Sequence, residues 1–139
     1  MTAHRDRLAA LFADLERLDF AAVAARCAPD CVYEDVPYPE ATVTGPDAIR
    51  AKLALGLASL ERLPTTIHEL LEAGDTVLVE RTEVWHHPSG ERAALRVAAV
   101  FKFRGEQLVL WRDYWDAKTL LDQQPADWLP QIPRLINRP

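Results

Sequence analysis

Three long extended runs follow one another in the second half of this chain, each joined to the next by a connection too short to hold a helix. They span residues 76–85, 93–103 and 107–115, and β-branched and aromatic residues fill them. The connections, His86-His87-Pro88-Ser89-Gly90-Glu91-Arg92 and Arg104-Gly105-Glu106, carry turn residues. Consecutive strands joined this way form an antiparallel meander, and a meander has two faces.

A register follows from where the turns are centred. A turn on Ser89 sets Arg81 opposite Val97 and Glu83 opposite Leu95. A turn on Gly105 sets Val97 opposite Asp113 and Ala99 opposite Trp111. Both turns keep every odd-numbered residue on one face, because strand side chains alternate. That face is apolar, with Val77, Val79, Trp85, Leu95, Val97, Phe101, Val109, Trp111 and Trp115, except for Arg81, Glu83 and Asp113. The even face mixes Glu80, Thr82, Arg96, Lys102 and Arg112 with Val100, Leu110 and Tyr114, which suits solvent or a second subunit.

The first half supplies the cover. Leu8, Leu11, Phe12, Leu15 and Leu18 recur at helical spacing over residues 5–18, and Asp19 can cap a short alanine-rich helix over residues 20–26. Residues 31–36 suit a short strand with Tyr33 and Asp35 on one face, and residues 37–44, with two prolines, read as a loop. Gly45-Pro46-Asp47 starts a helix that runs to about Leu60, and residues 65–70 suit another strand before a Gly74-Asp75 turn. Helices first and strands later imply an α+β fold, a single domain over residues 1–139 with an irregular tail from about residue 123. Trp128, Leu129 and Ile132 are expected to hold part of that tail down.

The charge balance, 16 basic against 21 acidic residues, argues against nucleic acid or an anionic membrane surface as partner. No apolar run is long enough to cross a bilayer and the first residues lack a signal-like stretch, so the chain reads as cytoplasmic. Cys27 and Cys31 are too few for a disulfide framework and read as small packing residues. His86 and His87 diverge at a strand end without a third ligand, so they read as a solvated turn and no metal is expected.

With helices over the odd face, Arg81, Glu83 and Asp113 are enclosed among Trp, Phe, Val and Leu. Arg81 and Asp113 stand two strands apart, roughly 10 Å between backbones, and arginine's long fork can bridge that across Val97. Unpaired buried charge is costly, so the three form either a mutually satisfied ion network or an acid/base site. Burial and repulsion between two carboxyls raise one of them, which lets one act as acid and the other as base. Tyr33 and Asp35 can face the same pocket and position a water, although a tyrosine there can equally be ordinary core. Trp85, Trp111 and Trp115 can line a cavity or fill a core.

The run Glu80-Arg81-Thr82-Glu83-Val84 with Trp111-Arg112-Asp113-Tyr114-Trp115-Asp116, together with Val32-Tyr33-Glu34-Asp35-Val36-Pro37 and Gly45-Pro46-Asp47-Ala48, resembles the limonene-1,2-epoxide hydrolase family. That family lies within the wider nuclear-transport-factor-2-like, ketosteroid-isomerase-like and SnoaL-like group. The resemblance spans about Leu8 to Leu121. It implies a curved antiparallel sheet wrapped by N-terminal helices into a cone with a deep pocket, pairing with a second copy through the outer sheet face. It also implies cofactor-free, one-step addition of water to a small or medium apolar epoxide. Carried over by position, Glu83 takes the base position, Asp113 the acid, Arg81 the bridge and Tyr33 the water-holding tyrosine. Trp85, Leu95, Val97, Trp111, Trp115 and Leu120 would line the substrate pocket.

Two positions depart from the family pattern. Asp35 stands where asparagine is expected, and Glu83 where aspartate is expected. Asp35 cannot donate an amide N–H, which allows the base to have moved to Asp35. The segment around Asp35 also resembles ketosteroid-isomerase-like proteins, whose oxyanion-holding residues align with Leu11 and Ala99. Neither can donate a hydrogen bond. A polyketide-cyclase-like acid/base role for Asp35, or a ligand-binding dimeric module without catalysis, are the other readings.

Overall fold

The computed structural model describes residues 3–126 and residue 128. Its elements in chain order are α1 (His4–Glu16), α2 (Phe20–Ala25), β1 (Cys27–Asp35), β2 (Val43–Thr44), α3 (Pro46–Leu57), β3 (Thr65–Ala73), β4 (Thr76–His86), β5 (Arg92–Arg104), β6 (Gln107–Tyr114) and α4 (Ala117–Leu121). The six strands form one sheet in the order β2-β1-β6-β5-β4-β3. All neighbours run antiparallel except β1 and β6, which are parallel, so the expected antiparallel sheet is in fact mixed.

The helices form for local reasons and bury one stripe each. In α1 that stripe is Leu8, Leu11, Phe12 and Leu15, and Phe12 meets Phe101 of β5 edge-on with centroids 5.8 Å apart. Asp19 caps α2 by accepting from the Ala22 N–H at 3.0 Å. Proline opens α3 where no helical N–H bond is lost, and the helix buries Ile49, Leu53 and Leu57. Just before it, Gly45 has φ +93, and a Cβ there would lie 3.1 Å from the Pro29 carbonyl oxygen. Only glycine fits that turn. Asp14, buried in α1, is satisfied by ion pairs to Arg17 and Arg26, the latter at 2.7 Å.

The β4–β5 register is the expected one, with Arg81 opposite Val97 and Glu83 opposite Leu95. The β5–β6 register differs. Asp113 lies opposite Ala99 and Trp111 opposite Phe101, rather than opposite Val97 and Ala99. The turn is a two-residue one, Gly105-Glu106, with Arg104 opposite Gln107 and Phe103 opposite Leu108. Continued unbroken, that odd offset would bring Leu110 and Arg112 to the core face and turn Asp113 outward. The pairing instead skips Val109, a β-bulge that restores the even offset. Val109, expected on the core face, is this unpaired residue, and Leu108 is buried in its stead.

Smaller differences have local causes. Residues 37–44 are more ordered than a loop, because Pro39–Ala41 form a 3₁₀ turn and Val43–Thr44 pair with β1. The third helix stops at Leu57, earlier than expected. His87 is buried and hydrogen-bonded to Gln124 rather than solvated. Trp128 is buried against Trp85 with ring centroids 5.7 Å apart, whereas Leu129 and Ile132 fall outside the described residues. The outer sheet face exposes apolar side chains, Leu71, Leu78 and Tyr114 among them. Among the described residues no helix is long and apolar enough to cross a membrane.

Candidate active site

The odd face of β4–β6, β1 and the buried side of α3 enclose a cavity of about 100 Å³. Trp85, Leu95, Val97, Trp111, Trp115 and Leu120, expected at such a pocket, all line it, joined by Tyr38, Leu53 and Trp128. Tyr33, Asp35, Arg81, Glu83 and Asp113 converge on its polar end.

Arg81 is fully enclosed, and its guanidinium faces Asp113 in a fork, Nη1 to Oδ1 at 3.3 Å and Nη2 to Oδ2 at 3.1 Å. The same Nη2 lies 3.6 Å from Glu83 Oε2. One nitrogen thus touches both carboxyls. The Phe12 ring packs 5.1 Å from the guanidinium carbon and closes the other side.

Three carboxylates each receive an indole N–H. Trp85 donates to Glu83 Oε1 at 3.0 Å, Trp111 to Asp113 Oδ1 at 2.9 Å, and Trp115 to Asp35 Oδ1 at 2.9 Å. The tryptophans therefore wall the cavity and orient its acids at once. Sequence alternation put Trp85 and Trp111 two residues from their carboxylates on the same face; the Trp115–Asp35 bond depends on β1 lying beside β6.

That adjacency sets Asp35 opposite Asp113 and Tyr33 opposite Trp111, on which its ring stacks at 4.2 Å. Sequence reasoning missed Lys52, whose Nζ lies 2.9 Å from Asp35 Oδ2 and 4.1 Å from the centre of the Tyr33 ring. Its side chain is 7% exposed. A signal existed: Ile49, Lys52, Leu53, Gly56 and Leu57 follow the 3-4-3 step of a buried helical stripe, so this lysine occupies a core position.

Burial pushes the Glu83 carboxyl up, and the charges of Asp113 and Asp35 add to this while Arg81 and the Trp85 N–H oppose it. Asp113 is also raised, by burial first, with Asp35 adding and Arg81 and the Trp111 N–H opposing. Burial works against the Arg81 charge, but Asp113 and Glu83 outweigh it and hold the guanidinium protonated. Tyr33 is raised by burial and then by the three carboxylates, so its hydroxyl stays a donor. The carboxylate oxygens already accept N–H groups from Arg81 and three indoles, and Asp35 is ion-paired with Lys52, so a divalent cation would have to displace an arginine or a lysine.

A raised carboxyl binds its proton more tightly in the folded state than in the unfolded chain. Its contribution to stability is therefore full below the unfolded value and is lost as pH rises through the folded one. Wild-type protein should lose melting temperature as pH climbs from about 4.5, the ordinary glutamate value, toward neutrality. Glu83→Gln should flatten that fall, as thermal melts across the range would read; a parallel curve would mean that Glu83 is ionised without cost.

Helices on one face of a mixed sheet, closed over a pocket with acid/base groups, define a protein of the nuclear-transport-factor-2-like class. The chain belongs to the SnoaL-like domain family, which matches residues 8–111. No curated protein matches it in sequence. Among solved structures, it is similar to a hypothetical protein with a ketosteroid-isomerase-like fold from Catenulispora acidiphila DSM 44928, in complex with trimethylamine. The two are 29% identical, with a TM-score of 0.76 over 88% of this chain and 95% of that one. It is also similar to an LEH-like epoxide hydrolase of M. tuberculosis, at 25% identity and a TM-score of 0.72, over 96% of this chain and 95% of that one. A putative SnoaL-like polyketide cyclase from Shewanella putrefaciens CN-32 shares the fold, at 16% identity and a TM-score of 0.78, over 88% of this chain and 96% of that one. Leu11 and Ala99, the positions of the isomerase-type oxyanion donors, are buried and apolar.

Proposed function

We propose that the protein hydrolyses a small apolar epoxide without a cofactor, by concerted general acid and base catalysis. The observation that carries this reading is Arg81 Nη2 standing between two buried carboxyls, 3.1 Å from Asp113 and 3.6 Å from Glu83, at the end of an aromatic pocket. The 25% identical LEH-like epoxide hydrolase supports it.

The roles follow from the contacts and exchange the two positions expected from the family pattern. Asp113 takes two guanidinium N–H groups, which suits the anion that activates a water. Glu83 has one longer contact to Arg81 and stands on β4, away from β1, which suits the carboxyl that keeps a proton. Charge counting agrees. Three carboxyls against Arg81 and Lys52 leave one acid uncompensated, and a dry pocket resolves that by holding a proton.

In the reaction, a water accepting from the Tyr33 hydroxyl and donating to Asp35 and Asp113 attacks an epoxide carbon. Asp113 takes a water proton, the carbon–oxygen bond breaks, and Glu83 gives its proton to the departing oxygen. A diol results, and proton return from Asp113 to Glu83 resets the site. Such proton transfers contribute about 10²–10⁴-fold in rate each.

Incubation of cyclic and aryl epoxides with the protein in ¹⁸O-water tests this. Diol carrying one solvent oxygen is expected from the first turnover. No diol from any of them would sink the reading. Asp35 held beside an ammonium favours a second reading, a SnoaL-like isomerase or cyclase that uses Asp35 on a carbonyl substrate. Deuterium exchange beside a ketone, lost in Asp35→Asn, would then replace diol formation.

A further inference from the structure

Asp35 and Asp113 are cross-strand neighbours at the polar end of the pocket, and two anions so placed repel one another. The groups facing them are Tyr33 on β1, Tyr38 after it, Lys52 on α3, and Arg81 and Glu83 on β4. Arg81 is committed to Asp113 and Glu83. Asp35 has only Lys52 as a cationic partner among the described residues. Lys52 in turn makes no ion pair other than that to Asp35 among the described residues, and its ammonium is buried on a helix otherwise packed through Ile49, Leu53 and Leu57. A lysine buried at that cost needs a paired charge, and the pair is neutral as a unit.

We propose that Lys52 is a positioning residue: by pairing with Asp35 it compensates that carboxylate's charge beside Asp113 and leaves Asp113 as the base. The inference rests on the hydrolase reading for its kinetic consequence but not for its electrostatic one. Without Lys52, three carboxyls would share Arg81, and the Asp35–Asp113 pair would retain a proton that the base must lose.

Four proteins test this: wild type, Lys52→Met, Asp35→Asn and the double variant, with Lys52→Arg as the charge-preserving control. On styrene oxide, Lys52→Met should lower kcat at neutral pH by about 30-fold with KM changed little, and should move the acidic limb of the pH–rate profile upward. The double variant, lacking both charges, should return the limb to its wild-type position. Melting of the same proteins without substrate gives an independent readout. Lys52→Met should lose stability with rising pH more steeply than wild type, and Asp35→Asn added to it should remove the extra slope. Lys52→Arg should keep the wild-type slope. Parallel melting curves for wild type and Lys52→Met, or a double variant whose acidic limb and melting slope stay with those of Lys52→Met, would overturn the proposal. Absence of epoxide turnover by wild type would sink the hydrolase reading, while the melting series still decides the role of Lys52.

Discussion

Asp113→Asn is expected to reduce epoxide turnover by about 10³-fold or more, within the range that removal of a general base produces. The amide keeps the shape of the carboxylate and can still accept from Arg81 and Trp111, so a cooperative melt should survive. The loss should fall on kcat, because Asp113 lies at the polar end of the pocket and not on its apolar walls. Steady-state kinetics with a thermal melt on the same sample check both halves. Near wild-type turnover would exclude Asp113 as the base. An intact Asp113→Asn enzyme beside an inactive Asp35→Asn would move the base to Asp35.

Arg81→Met should have the largest effect on stability. Arginine is the group that compensates Glu83 and Asp113, and both lie in the buried core. Removing one partner of a buried ion pair costs about 3–5 kcal/mol, because the remaining charge keeps its desolvation penalty. For a domain of this size that corresponds to a fall in melting temperature of roughly 10–20 °C. The sign of the pH dependence identifies the cause: the deficit should shrink as pH falls, since protonated carboxyls no longer need the guanidinium. Arg81→Lys should rescue little, because a compact ammonium cannot make the paired bonds of a guanidinium. An unchanged melting temperature at neutral pH would mean that Glu83 and Asp113 are both neutral in the fold.

Much of the site is legible in the sequence because strand alternation is strict. Arg81, Glu83, Trp85, Trp111 and Asp113 share a face once the runs over β4, β5 and β6 are recognised as a meander. The tryptophans that serve as donors sit two residues from their acids for the same reason. The indole of Trp115 on Asp35 has no such signal, since its partner is 80 residues away in the chain. Lys52 was readable as a lysine in a buried stripe, but that stripe says nothing about which carboxylate receives it.

Alternation and turn chemistry alone, being local, determined the helices-then-strands order, the meander, and the apolar face of β4 that carries Arg81 and Glu83. Three things were decided only in the folded chain. The Val109 bulge offsets a two-residue turn and keeps Asp113 facing inward, and a one-residue difference there would have turned it out. The parallel seating of β1 beside β6 brings Asp35 to Asp113. The docking of α3 over that edge sets Lys52 on Asp35. Each depends on contacts between segments far apart in the chain, where packing of whole elements, and not the preference of any single residue, chooses the neighbour.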